Sequence, residues 1–184
     1  MRPTVIAKSA SARHRRSSGF TLVEVLVAVL VISIGMLGVA RLVLAAVKAN
    51  DSAYFRGQAA ALAYSILDEM RANHAYAVTS PGYTVGYGTY ADPGVDCTAS
   101  TCTPAQIAQY DIYMWKQQLS SASTVTTGAL PSGDGKIVMT YPAGSGQVTA
   151  TITVTWDDSV AQWAFGSSKS ATPSLATFTL ESAL

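Results

Sequence analysis

Charge is scarce in this chain. Only 12% of its 184 residues are Asp, Glu, Lys or Arg, against about a quarter in soluble globular proteins. Because 49% are hydrophobic, an intrinsically disordered chain is excluded, since disorder needs low hydrophobicity and high net charge. A formal net charge of +1 argues against bulk electrostatic capture of nucleic acid. Histidine and cysteine occur twice each, which leaves little for a metal centre that needs four ligands. No proline falls between Pro3 and Pro81, so nothing there forces a helix to break. There is no internal repeat and no heptad array, which excludes a solenoid and a long coiled coil. The length allows one compact domain with an appendage, but not two independent cores.

What is present is sharply segregated. Residues 1–19 hold Arg2, Lys8, Arg13, Arg15 and Arg16 and no acid. Without them the chain keeps seven basic against eleven acidic residues, a net −4. Residues 20–40 form an apolar run of 21 residues with one charge, Glu24, and about 20 residues suffice to cross a bilayer. A secretory signal fits poorly, because its core is shorter and ends in a small-residue cleavage site. Here the small residue, Gly19, comes before the apolar run. A plain single-pass anchor leaves Glu24 unexplained, since a carboxylate in the membrane is costly and usually partnered. The bland reading of Glu24 is a charge that complements the helix N-terminal dipole.

The string Gly19-Phe20-Thr21-Leu22-Val23-Glu24 resembles the type III signal of type IV prepilins and pseudopilins. The resemblance combines a basic leader, a Gly-Phe junction, a Glu at the fifth position after cleavage and an uninterrupted apolar helix. It implies that a membrane-embedded prepilin peptidase cuts between Gly19 and Phe20 on the cytoplasmic side and N-methylates Phe20. It also implies that Glu24 meets the terminal amine of an adjacent subunit and sets the axial register of a fibre. The chemistry is coherent: cleavage creates a cationic amine in or beside the bilayer, and pairing it with Glu24 offsets the burial cost of both. Glycine before the scissile bond allows close backbone approach. A basic leader stays cytoplasmic, so the rest of the chain faces outward.

Further strings resemble a narrower group, the minor pilins called PilV or type IV pilus modification proteins. They are Ile34-Gly35-Met36-Leu37-Gly38-Val39-Ala40, Asp68-Glu69-Met70-Arg71-Ala72-Asn73, Asp111-x-x-x-Trp115-x-x-x-Leu119 and Leu130-Pro131-x-Gly133-x-Gly135. Two features depart from many major pilins. The apolar half of the helix has no proline, so Gly35 and Gly38 are its weak points, each costing about 1 kcal/mol relative to alanine. The cysteines lie mid-sequence instead of closing a large C-terminal loop, which sets the chain apart from a bulk fibre subunit.

The remaining sequence reads as a head. Phe55, Ala59, Leu62, Ile66 and Met70, with Leu67 alongside, form the stripe of an amphipathic half-helix laid on a core. A second helix is expected from Thr103 as N-cap with Pro104 at the first position. Ala108, Ile112, Trp115 and Leu119 share one face, with Trp115 a core anchor. Asp111 is either a surface charge or a tie to a nearby loop. Residues 76–103, rich in Gly, Tyr, Thr and Pro, read as a long, exposed connection.

Strands are expected at Lys136–Tyr141, ended by Pro142, and at Gln147–Trp156. Weaker ones follow at Val160–Phe165 and Leu175–Leu180, with a turn at Asp157-Asp158-Ser159. The expected class is α+β and type IV pilin-like, a long N-terminal helix packed on a small antiparallel sheet. Its parts are a leader at 1–19, an apolar membrane and fibre-core half-helix at 20–47, and an extracytoplasmic head at 48–184.

Cys97 and Cys102 lie outward of the membrane in this orientation, where a disulfide is favoured. A metal pair is the alternative, with His74 the one histidine nearby in sequence. No nucleophile elbow or phosphate loop accompanies His74, so no catalytic centre, cofactor or small-molecule substrate is expected. The expectation is a minor pilin with other minor pilins, the major pilin, prepilin peptidase and inner-membrane lipid as partners, and no nucleic acid. It waits in the inner membrane and ends at the pilus and cell surface. The rivals are a pseudopilin of a type II secretion system and a membrane-anchored binding protein.

Overall fold

The structure is a computed structural model that describes residues 19–120, 129–144, 146–159 and 174–184. The chain divides into two compact units, Met1–Val43 and Leu44–Leu184. Helix α1, Leu22–Ala72, is 51 residues long and contributes to both.

In the first unit every described residue is exposed. Leu, Val and Ile predominate in its helix, and the few polar side chains there, Glu24, Ser33 and Arg41, do not gather into a polar face. Gly35 and Gly38 are both helical, and the helix runs through them. It is long and apolar enough to cross a membrane, and none of its apolar window is buried.

The second unit is built on the other half of α1. Ala59, Ala63, Ile66, Leu67 and Met70 are buried, and Phe55 and Leu62 pack against them partly exposed. Helix α2 is one turn, His74–Ala77, and a 3-10 turn follows at Pro81–Tyr83. Helix α3, Pro104–Leu119, begins as the sequence indicates, with Thr103 at the N-cap and Pro104 inside it. The cap is a full box: Gln106 N donates to Thr103 Oγ1 at 3.3 Å, and Thr103 N donates to Gln106 Oε1 at 2.9 Å. Ala108, Ile112, Trp115 and Leu119 are all buried.

Three antiparallel strands lie in the order β1 (Asp134–Thr140), β2 (Thr149–Asp157), β3 (Leu175–Ala183). Ala150, Ile152, Val154 and Trp156 of β2 alternate into the core, as period two dictates. Ile152 is opposite Ile137 on β1 and Leu180 on β3. The head is thus the expected α+β layout, a helix on a small antiparallel sheet. β1 starts two residues before Lys136, and β3 runs three past Leu180. The strand expected at Val160–Phe165 lies outside the described residues.

One expectation needs correction. The 76–103 segment is not simply an exposed connection. Tyr83 is fully buried, Tyr90 packs partly buried against the core, and Val85 bridges β1. Val85 and Ile137 exchange both backbone hydrogen bonds, at 3.0 and 2.8 Å. The bridge satisfies backbone groups on the outer edge of β1 that would otherwise face solvent. The turn-rich composition hid these anchors because they follow neither a helical nor a strand period.

Glycine makes the junction of β1 and α3 possible. A Cβ on Gly135 would lie 2.5 Å from the Trp115 ring, and one on Gly133 would collide with the Leu119 carbonyl. Any larger residue forces strand and helix apart.

Candidate processing and assembly site

Gly19, Phe20 and Thr21 precede α1 in non-helical backbone. Among the described residues beyond its chain neighbour, none has a heavy atom within 4 Å of where a Cβ on Gly19 would stand, and Phe20 is 82% exposed. The Gly19–Phe20 peptide bond therefore sits outside the helical hydrogen-bond ladder, with no described residue packed on Gly19. That is the state a protease requires, because an α-helical bond would have to unwind before entering a cleft.

Thr21 fixes where the helix starts. Its Oγ1 accepts from Glu24 N at 3.2 Å, and its carbonyl accepts from Val25 N at 3.3 Å. Thr21 is thus the N-cap and Glu24 occupies the third helical position. The spacing Thr21-x-x-Glu24 before an apolar run is the sequence signal for such a cap. Glu24 is exposed and is the acid of the first turn, where the helix dipole favours its charge. The same position leaves its carboxylate open to a neighbouring cation. The geometry therefore accommodates both the bland and the assembly reading of this residue.

Cys97 and Cys102 form a disulfide with S–S 2.03 Å and Cα–Cα 5.5 Å. The bridge closes the loop that ends at the α3 N-cap. Just ahead of that loop, Asp96 accepts from Thr98 N at 2.9 Å and Thr98 Oγ1 at 2.6 Å. These bonds hold the Asp96 carboxyl below the ordinary aspartate range. His74 is exposed. Among the described residues no three His, Cys, Asp or Glu side chains converge as a metal site would require.

Two polar nodes inside the head escaped sequence reasoning. In the first, Lys116 is only 6% exposed. Its Nζ donates to Asp134 Oδ1 at 2.7 Å, to the Gly86 carbonyl at 2.8 Å and to the Gly135 carbonyl. All three ammonium hydrogens are used, as a buried cation demands. Asp134 also accepts from Gly88 N and Gly135 N, each at 2.7 Å. One ion pair therefore pins α3, β1 and the 86–88 backbone together.

The second node joins the end of α1 to α3. Tyr83 Oη donates to Asp111 Oδ2 at 2.7 Å, so Asp111 is the tie and not the surface charge. Asn73 Nδ2 donates to Tyr83 Oη at 3.2 Å and to the Pro104 carbonyl at 2.8 Å. Glu69 lies beside this network with its Oε2 buried and without a hydrogen bond. Burial, and then the Asp111 charge, push its carboxyl up from 4.5 to about 7. Burial also raises Asp111, against the pull of the Tyr83 hydrogen bond. Tyr83 is raised in turn, first by burial and then by its bond to Asp111. Trp115 completes the junction, its Nε1 donating to the Leu62 carbonyl at 3.0 Å.

The family profile described as the prokaryotic N-terminal methylation motif matches residues 14–40. That interval holds the end of the basic leader, the Gly19–Phe20 junction, Glu24 and most of the apolar run. No curated protein and no solved structure matches the chain. The motif is a prepilin-type signal, and over this N-terminal segment it supports a type IV prepilin-like protein, pilin or pseudopilin. Motif and apolar helix together fit a single-pass inner-membrane anchor. Proteins of this class are structural and not typically enzymes.

Proposed function

We propose that the chain is a minor pilin that helps to initiate a type IV pilus or forms part of its tip complex, supporting adhesion or twitching motility. The observation that carries this reading is the exposed, non-helical Gly19–Phe20 bond one turn ahead of Glu24 on an apolar helix. Prepilin peptidase removes residues 1–19 and N-methylates Phe20. The half-helix at 20–47 serves first as a membrane anchor and then as a fibre-core element, while residues 48–184 form the extracytoplasmic head. Glu24 pairs with the terminal amine of a neighbouring pilin. The resemblance of the four strings named above to PilV supports the minor-pilin assignment, and the mid-sequence disulfide agrees with it. Partners are other minor pilins, the major pilin, the peptidase and inner-membrane lipid.

The test is a Gly19→Leu variant blotted for the precursor. Accumulated precursor and lost piliation are expected; normal processing and normal pili would sink the proposal. A pull-down from cells separates the two assembly classes. Pilus components support the minor pilin, whereas secretion components would reassign the chain as a pseudopilin.

A further inference from the structure

Arg41 has no place in the processing motif or in the head. Sixteen uncharged residues, Val25 to Ala40, separate it from Glu24, and six more apolar residues, Leu42 to Val47, separate it from Lys48. It lies within α1, and both Arg41 and its apolar neighbours Leu42 and Val43 are exposed.

The apolar run from Phe20 to Val47 is 28 residues long, or roughly 42 Å as helix. A bilayer's hydrocarbon core is about 30 Å thick. Hydrophobicity alone therefore permits two depths. In one, residues 20 to 40 span; in the other, residues from about 27 to 47 span, which lowers the chain by roughly 10 Å. The first depth leaves Glu24 about 6 Å from the inner face, whereas the second places Arg41 about 9 Å inside the hydrocarbon, the deeper and costlier of the two charges. The first places Arg41 about 31 Å from Phe20, level with the opposite headgroups. There the guanidinium fork matches a phosphate, and the apolar stem stays along the helix.

We propose that Arg41 binds the phosphate of an anionic phospholipid in the outer leaflet and so fixes the depth at which α1 crosses the membrane. The proposal rests on the membrane-anchored, head-out reading given above. Its consequence reaches the other end of the helix. By selecting the first depth, Arg41 holds the Gly19–Phe20 bond at the inner membrane face, within reach of a membrane-embedded peptidase. Arg41 is a positioning residue for that cleavage.

The experiment uses the full-length chain in vesicles of phosphatidylethanolamine and phosphatidylglycerol. Both native cysteines are in the disulfide, so a single thiol introduced at Val39 or Val47 is the sole target of a membrane-impermeant maleimide. In the otherwise wild-type chain, the thiol at Val47 is expected to react and that at Val39 to be protected. Arg41→Leu should protect the thiol at Val47 and slow precursor cleavage by added peptidase, while Arg41→Lys, which keeps the charge without the fork, should restore both in part. Capture of a photoactivatable phosphatidylglycerol should fall about fivefold in Arg41→Leu.

Unchanged labelling and cleavage in Arg41→Leu would overturn the proposal. So would a wild-type depth and capture indifferent to replacing phosphatidylglycerol by a neutral lipid. A thiol at Ala75, an exposed head residue, reports orientation separately. If it labels from outside, a failure belongs to Arg41 alone; if only from inside, the head-out reading falls and this proposal with it.

Discussion

Glu69 should make the head less stable as pH rises through neutrality. Its carboxyl is pushed from 4.5 to about 7 by burial and by the Asp111 charge. The folded chain therefore holds a proton that the unfolded chain releases between these values, and stability falls with pH over that window. The stabilisation is complete below pH 4.5 and is lost by the time pH passes 7. Taken at 1.36 kcal/mol per unit, the shift corresponds to about 3 kcal/mol. Glu69 is partly exposed, so solvent screening reduces this to about 1 kcal/mol. For a unit of this size that is roughly 3 °C in melting temperature.

The assay is thermal unfolding of the detergent-solubilised chain, followed by circular dichroism at pH 5 and pH 8. Glu69→Gln mimics the protonated acid in shape and cannot ionise. The wild type should melt lower at pH 8, and Glu69→Gln should remove most of that difference. Asp111 contributes in the same direction because it too is raised. Asp96, held low by Thr98, acts only below the window. A wild-type head more stable at pH 8, or a Glu69→Gln variant with an undiminished pH slope, would refute the reasoning.

Three further outcomes follow from the same geometry. Lys116→Met strips the cation from Asp134, which sits between two backbone N–H donors and loses its counter-charge; a loss of about 3 kcal/mol is expected from urea unfolding. Replacing Cys97 and Cys102 together by serine opens the six-residue loop ahead of the α3 cap, costing about 2 kcal/mol in a denaturant titration. Gly135→Ala drives a methyl into the Trp115 ring and should cost about 1–3 kcal/mol, read as a fall in melting temperature with a displaced Trp115 fluorescence maximum.

Periodicity made the regular elements legible. The 3.6-residue stripe from Phe55 to Met70 and the alternation of Gln147–Trp156 each report a surface that must face a core, and both do. Caps were legible where their side chains are local, as at Thr103 and Pro104. Ties between distant segments were not. Lys116 lies on an ordinary polar position of α3, and only folding brings Gly86, Asp134 and Gly135 around its ammonium. Tyr83 sits among turn residues and is buried because Asp111 and Asn73 await its hydroxyl 28 and 10 residues away. Chemistry assembled across such separations leaves no spacing for a sequence to display. Thr21 is a different omission: its Thr-x-x-Glu spacing was present, and the cap followed from it.

The scarcity of charge acquires a physical role once the apolar half-helix is considered in its two proposed environments. Leu22, Leu26, Leu30, Leu37 and Leu42 are each at least 60% exposed, so this surface needs a cover other than water. Lipid provides that cover before assembly and neighbouring helices provide it afterwards, so the transfer need not expose the surface. The hydrophobic effect then favours neither place strongly, because lipid tails are as apolar as the helix. Selectivity for the fibre must come from directional terms, and of the two ionisable groups on the half-helix, Glu24 and Arg41, Glu24 is the one beside the amine that cleavage creates. On this argument Glu24→Ala should be cleaved and membrane-inserted normally yet be depleted from sheared pili, while Glu24→Asp retains partial incorporation. Normal incorporation of Glu24→Ala would show that helix packing alone selects the fibre, and the register role would then be wrong.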